Sequence, residues 1–201
     1  MELLVNKIVS SIVQIILFTF IPFIWWLITA RKKQKFTEWI GLKKTEGGKK
    51  TVLSIVITSI AFLLLAAFIL YTVKDIETAT SDFAGLGVVA IPAIFVYAVF
   101  NTSFPEELLF RGFLLKRLEH KFGFGIANTV QAIIFGSIHG LTFFLIVGWI
   151  KATAIFAFTT AIAWLMGYIN EQKANGSIIP SWLIHAISNI FSGLCAAFSV
   201  F

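Results

Sequence analysis

Two uncharged apolar runs, 8–30 and 51–73, flank a linker that carries eight of the chain's 16 basic residues. A bilayer core takes about 20 consecutive apolar residues to cross as a helix. Within lipid each backbone N–H and C=O needs a partner inside the segment, which a helix supplies. The first run is too long for the core of a signal peptide and has no convincing small-residue cleavage site, so it reads as a span. Only 13% of the 201 residues are charged, while 58% are hydrophobic. A soluble domain has about a quarter of its residues charged. With a mean hydropathy of +0.91, the chain reads as an integral membrane protein.

Further runs follow. A third starts at Val88 and continues past Pro92 and Pro105 to Lys116–Arg117, and Gly123 and Gly125 mark the next turn. The segment 124–140 reads as a fourth span. The apolar stretch 141–150 leads into a fifth that ends near Ile169, and 181–201 reads as a sixth. Between the fifth and sixth, 171–180 is a polar loop with an Asn175-Gly176 turn signal. The fold expected is all-α, a polytopic membrane protein of about six transmembrane helices with any site inside the bundle. The organisation expected is two N-terminal helices with a basic linker (1–87, linker 31–50) ahead of a core of about four helices (88–201).

Charge orients these spans. Arg31, Lys32, Lys33, Lys35, Lys43, Lys44, Lys49 and Lys50 lie in the 31–50 linker. Basic clusters between spans mark cytoplasmic loops beside anionic lipid, so the cluster indicates a bilayer rather than nucleic acid. With that linker inside, alternation leaves Lys116, Arg117, Lys121 and Lys173 inside and Lys7, Lys74 and Lys151 outside. The 74–87 loop, where Lys74 faces Asp75, Glu77 and Asp82, is net negative and suits the outer side. The location expected is the cell membrane. The single cysteine, Cys195, excludes an internal disulfide framework or a Cys-based zinc cluster. In its apolar setting it reads as a packed thiol.

Within the third run, FPEELLFRGFLL sets Glu106, Glu107 and Arg111 among apolar residues. Ionisable groups inside a membrane segment are expensive, and by default functional. Residues four apart share a helix face, so Arg111 neutralises Glu107. Glu106 is rotated by about 100° and lacks an obvious partner on its own helix. An unpaired carboxylate in an apolar setting is a candidate general base. Two plainer readings compete: a capping box from Ser103 to Glu106, and an amphipathic helix lying on the membrane surface.

The histidines bear on that choice. His120 lies among Arg117, Glu119 and Lys121 and reads as solvated. His139 closes Phe135-x-x-x-His139, and His185 opens His185-x-x-x-Asn189. Glu106 and His139 stand 16 and 17 residues either side of Phe122. Antiparallel packing would bring both to one level, about 24 Å from that turn. His185, five residues into the last span, stays near the cytoplasmic surface unless the 171–180 loop dips into the protein or Pro105 breaks the third span. Ser137 and Ser188 read as small helix-packing residues. No Gly-x-Ser-x-Gly, Cys-x-x-Cys or Gly-rich phosphate loop is present.

Glu-Glu-x-x-x-Arg, Phe-x-x-x-His and His-x-x-x-Asn, in that order on successive spans, resemble the CAAX protease and bacteriocin-processing (Abi) family. That family includes the type II CAAX prenyl endopeptidases of the Ras-converting-enzyme type. The resemblance covers about 88–195. It implies an intramembrane endopeptidase acting near the cytoplasmic side on a prenylated protein or a bacteriocin or other peptide precursor. It also implies roles: Glu106 activates water with help from His139, His185 and Asn189 stabilise the oxyanion, and Glu107 with Arg111 orients the site. Glu106, His139 and His185 have the side chains of an open zinc site, but no His-Glu-x-x-His motif is present, and the residues leave metal-free and metal-assisted chemistry both open. A non-enzymatic immunity or scaffolding protein of the same fold is the alternative. A small transporter or proton relay would also use such groups, but the paired hydropathy repeats of many transporters are absent.

Overall fold

The computed structural model describes residues 1–74 and 76–200. Asp75, which the sequence reading counts in the acidic loop, and Phe201, the end of the expected sixth span, lie outside the described residues. Among the described residues five helices are long and apolar enough to cross a membrane. They are α1 (Glu2–Thr29), α2 (Gly48–Thr72), α3 (Gly87–Phe122), α4 (Phe124–Lys173) and α5 (Ile179–Ala197).

The expected fourth and fifth spans are the two arms of α4. At Gly148 the backbone takes φ 76° and ψ 167°, a conformation that glycine reaches because it has no Cβ. The arms 124–147 and 149–173 fold back on each other: Asn128 Nδ2 donates to Trp164 O at 2.9 Å and Gln131 Nε2 to Ala163 O at 3.2 Å. Farther along, Gly136 lies against Phe156 and Thr160, and Gly140 against Ala152 and Phe156. Small residues at these positions let the two backbones approach closely. The stretch 141–150 is therefore the tip of a helical hairpin, which the absence of any polar break had hidden.

The two prolines of α3 act differently. Pro92 sits in the first turn of a helical stretch, Ile91–Val96, where no intrahelical N–H bond is lost. Pro105 lies inside the helix, and the turn before it, Tyr97–Ser103, is wound as a π-helix. Widening to i→i+5 bonding is a usual way for a helix to absorb such an interruption. The segment Leu108–Leu115 is π-helical as well. Ser103 has helical φ and ψ, −61° and −49°, so no helix starts there and the capping box does not form.

Loops assigned to one side by charge gather at one end of the bundle. The 31–50 linker folds back over it through a short helix, Phe36–Trp39. Ile178 N donates to Gly41 O at 2.9 Å, Ser177 Oγ to Lys43 O at 2.7 Å, and Thr51 Oγ1 to Lys173 O at 2.6 Å. Lys116 Nζ reaches Glu171 Oε1 at 2.6 Å and Gly176 O at 2.8 Å. The Arg117 guanidinium lies 3.9 Å from the Trp39 ring centroid. At the opposite end, Lys7 pairs with Asp82 at 2.8 Å, Lys151 Nζ donates to Thr72 O at 2.7 Å, and Gly85 N donates to Ala196 O at 3.2 Å.

Candidate active site

The dip of the 174–178 loop sets the depth of the site. Ala174, Ser177 and Ile178 are buried beneath the linker, so α5 begins inside the protein. Asn170 fixes that start: its Nδ2 donates to Ser181 Oγ at 2.7 Å, and its Oδ1 accepts from Ser181 N at 3.1 Å. His185, one turn after Ser181, is thereby carried inward to α3.

Its partner there is Glu107. Glu107 Oε1 accepts from His185 Nδ1 at 2.9 Å and from Arg111 Nη1 at 2.9 Å. Both Glu107 and Arg111 are 0% exposed. A helix lying on the membrane surface is ruled out by that burial. Charge-assisted bonds of this kind are about twice as strong as neutral ones. The Arg111 guanidinium also lies 4.4 Å from the Phe135 ring centroid, and the same ring packs on Phe110, His139 and His185 at 5.0, 4.4 and 6.0 Å. Phe135 is thus the apolar surface on which the polar groups of three helices are arranged.

Glu106 points elsewhere. Its side chain is 23% exposed and lies beside a cavity of about 350 Å³ that His139, Phe110 and Phe143 also line. Phe110 packs on Phe135, and the two helices they belong to present Glu106 and His139 to the same cavity. Glu106 Oε2 is buried without a hydrogen-bond partner. His185 Nε2 lies 3.9 Å from it, too far for a direct bond. A buried acceptor left unsatisfied costs about 1–3 kcal/mol and calls for an explanation, such as a water or a catalytic role.

The two imidazoles have their tautomers set by their neighbours. His139 Nδ1 lies 2.9 Å from Phe135 O, and His185 Nδ1 faces a carboxylate, so in both rings Nδ1 carries the proton. When neutral, each offers Nε2 as an acceptor. Asn189 is held from α3: its Nδ2 donates to Thr102 Oγ1 at 2.8 Å and Ser103 Oγ at 3.1 Å. Both hydroxyls belong to the π-helical turn, so the widening at Pro105 presents them to α5.

His139, His185 and Asn189 line a second cavity, of about 220 Å³, with Tyr97, Phe135 and Ser188 among its walls. His139 and Phe143 belong to both cavities. Among the described residues no three His, Cys, Asp or Glu side chains gather closely enough to hold a metal ion. Glu106, His139 and His185 are therefore not disposed as a zinc ligand set. His120 is exposed, and Cys195 is buried and free.

Sequence reasoning did not find Thr102, Ser103, Asn170, Ser181 or Tyr97. Ser181 carried a signal, since it precedes His185 by four residues on one helix face. Thr102 carried none and Ser103 pointed only to a cap, because their contact with Asn189 depends on the π-turn.

A family model for Rce1-like type II CAAX prenyl endopeptidases matches residues 88–191. That interval holds all three motifs and slightly more than half of the chain. No curated protein and no solved structure matches.

Proposed function

The chain belongs to the Rce1-like family of type II CAAX prenyl endopeptidases, and on that footing we propose that it is an intramembrane endopeptidase hydrolysing a peptide bond in a lipidated or hydrophobic peptide. The observation that carries this reading is Glu106: a carboxylate with an orphaned oxygen, at a cavity wall, near two imidazoles whose Nδ1 atoms are held by Phe135 O and Glu107. Glu106 takes a proton from a water whose oxygen attacks the scissile carbonyl carbon, and His139 Nε2 helps to orient that water. The carbonyl oxygen becomes an oxyanion. Protonated His185 and the Asn189 amide donate to it, Asn189 giving up one of its two hydroxyl partners. Collapse breaks the C–N bond, and the proton held by Glu106 passes to the leaving nitrogen.

Glu107 stabilises the imidazolium of His185 and fixes its ring, as a buried carboxylate does for a catalytic histidine elsewhere. Arg111 supplies the opposite charge beside Glu107 in an apolar surrounding. No step is routed through a metal. Substrates of the expected class are prenylated proteins and bacteriocin-type precursors, and the location proposed is the cell membrane with the basic linker in the cytoplasm.

The test is hydrolysis of prenylated and bacteriocin-leader peptides by purified wild type, Glu106→Ala and His139→Ala in lipid. Each substitution is expected to lower the rate by about 10²–10⁴-fold, the usual contribution of a positioned acid or base. Equal hydrolysis by all three proteins would overturn the reading in favour of an immunity or scaffolding role.

A further inference from the structure

The sequence places the basic linker, and with it the expected working side, in the cytoplasm. That end of the bundle is closed. Trp39 and Ile40 of the linker, and Ala174, Ser177 and Ile178 of the loop beneath it, are all buried. The backbone bond from Ile178 N to Gly41 O ties the two layers together.

The other end is built differently. A polar cavity of about 150 Å³ lies there, and its walls include Thr78, Thr80, Ser81, Ser192, Cys195 and Ser199. It adjoins the 220 Å³ cavity that holds His139, His185 and Asn189, because Leu70, Val73, Thr78, Thr80 and Ser192 line both. Each volume has room for several waters. Along α5 the polar residues descend at helical spacing, Ser192, Asn189 with Ser188, then His185, and Ser199 lies just beyond the end of the helix. From Ser192 to His185 is about 10 Å of helix.

We infer that water, and the polar backbone of the substrate, reach the site from the end opposite the basic linker, through this hydroxyl-lined passage. The positive-inside rule makes that end extracytoplasmic. Resting on the proposed function, the inference narrows the substrate class to membrane-anchored peptides whose scissile bond lies towards the outer face. The 350 Å³ cavity at Glu106 has mostly apolar walls, Phe18, Leu109, Phe110, Ile138 and Phe143 among them, and does not provide such a polar path.

The passage can be probed without any assay of hydrolysis. In bacterial cells expressing the full chain, native Cys195 is challenged with a sulfonated, membrane-impermeant maleimide. In a Cys195→Ser background the same is done for Ser192→Cys and Thr78→Cys, with exposed Lys44→Cys marking the linker side. Intact cells present the outer face and inverted vesicles the cytoplasmic face. Ser192→Cys and Thr78→Cys are expected to react at least about tenfold faster in intact cells, Lys44→Cys the reverse, and Cys195 slowly but with the first two. Labelling of Ser192→Cys from the same face as Lys44→Cys overturns the inference. So does outer labelling of Lys44→Cys, or a failure of Cys195, Ser192→Cys and Thr78→Cys to react from either face. Hydrolysis by labelled Ser192→Cys is expected to fall about tenfold or more, and undiminished hydrolysis also overturns the route. Should the unlabelled protein hydrolyse none of the peptides, the proposed function fails while the labelling pattern still decides the route.

Discussion

Glu106 and Glu107 are adjacent residues of one type on one helix, yet α3 gives them opposite surroundings. On one face Glu107 is sealed, with both bonds to its Oε1 made by donors that are charged or chargeable. On the other, Glu106 borders open volume and keeps an oxygen without a partner. About 100° of helical rotation is enough to separate the two. The sealed face, where His185 and Arg111 converge on Glu107 Oε1, holds α3 to α5. Glu107 Oε2 also lacks a partner but is enclosed by protein, so it is at Glu106, which borders open volume, that a substrate or water can gain by binding. A chain that needs both a clamp and a reactive group at one depth can therefore encode them in consecutive residues.

The largest test of this contrast is on stability. Glu107→Ala strands Arg111 inside the bundle and removes the acceptor of His185. Breaking a buried pair by removing one partner costs about 3–5 kcal/mol, and a loss of that order is expected in denaturant or thermal unfolding in detergent. Glu106→Ala removes an unsatisfied group, and its stability is expected to stay within about 1 kcal/mol of wild type. Equal destabilisation by the two substitutions would erase the distinction between the faces.

His185 touches both faces, so its loss is expected to register in both measurements. Under the proposed mechanism His185→Ala removes an oxyanion donor, worth about 10²–10³-fold in rate. It also leaves Glu107 with one donor fewer, a stability change of about 1–3 kcal/mol. Measured together, kcat and the unfolding midpoint should both fall. A change in kcat alone would place His185 on the Glu106 side only.

Much of this was legible in the sequence, for reasons that differ by residue. The spans were plain because lipid demands length and apolarity. The Glu107–Arg111 pair followed from four-residue spacing, and the approach of Glu106 and His139 to one cavity from their nearly equal distances to a turn. The hairpin of α4 was partly hidden, since one glycine in an apolar stretch makes a weak signal. The depth of His185 was not legible from span counting at all. It depends on a linker remote in sequence folding over the 174–178 loop, and on Asn170 fixing the start of α5. Nor does spacing along one helix show that Asn189 meets Thr102 and Ser103, because that contact is made by a π-turn.

The smallest expected effect sharpens the contrast from the side of the clamp. Ser181→Ala deletes a hydroxyl that accepts from Asn170 Nδ2 and donates to Ile178 O at 3.1 Å. The bond from Ser181 N to Asn170 Oδ1 remains. Polar contacts between membrane helices average about 0.6 kcal/mol and rarely exceed about 1.7, so the unfolding free energy should drop by about that average. His185 would keep its bond to Glu107, and hydrolysis should change by less than about threefold, the equivalent of 0.6 kcal/mol. A loss near that of Glu107→Ala would mean that the start of α5, rather than the ion pair on α3, holds the site together.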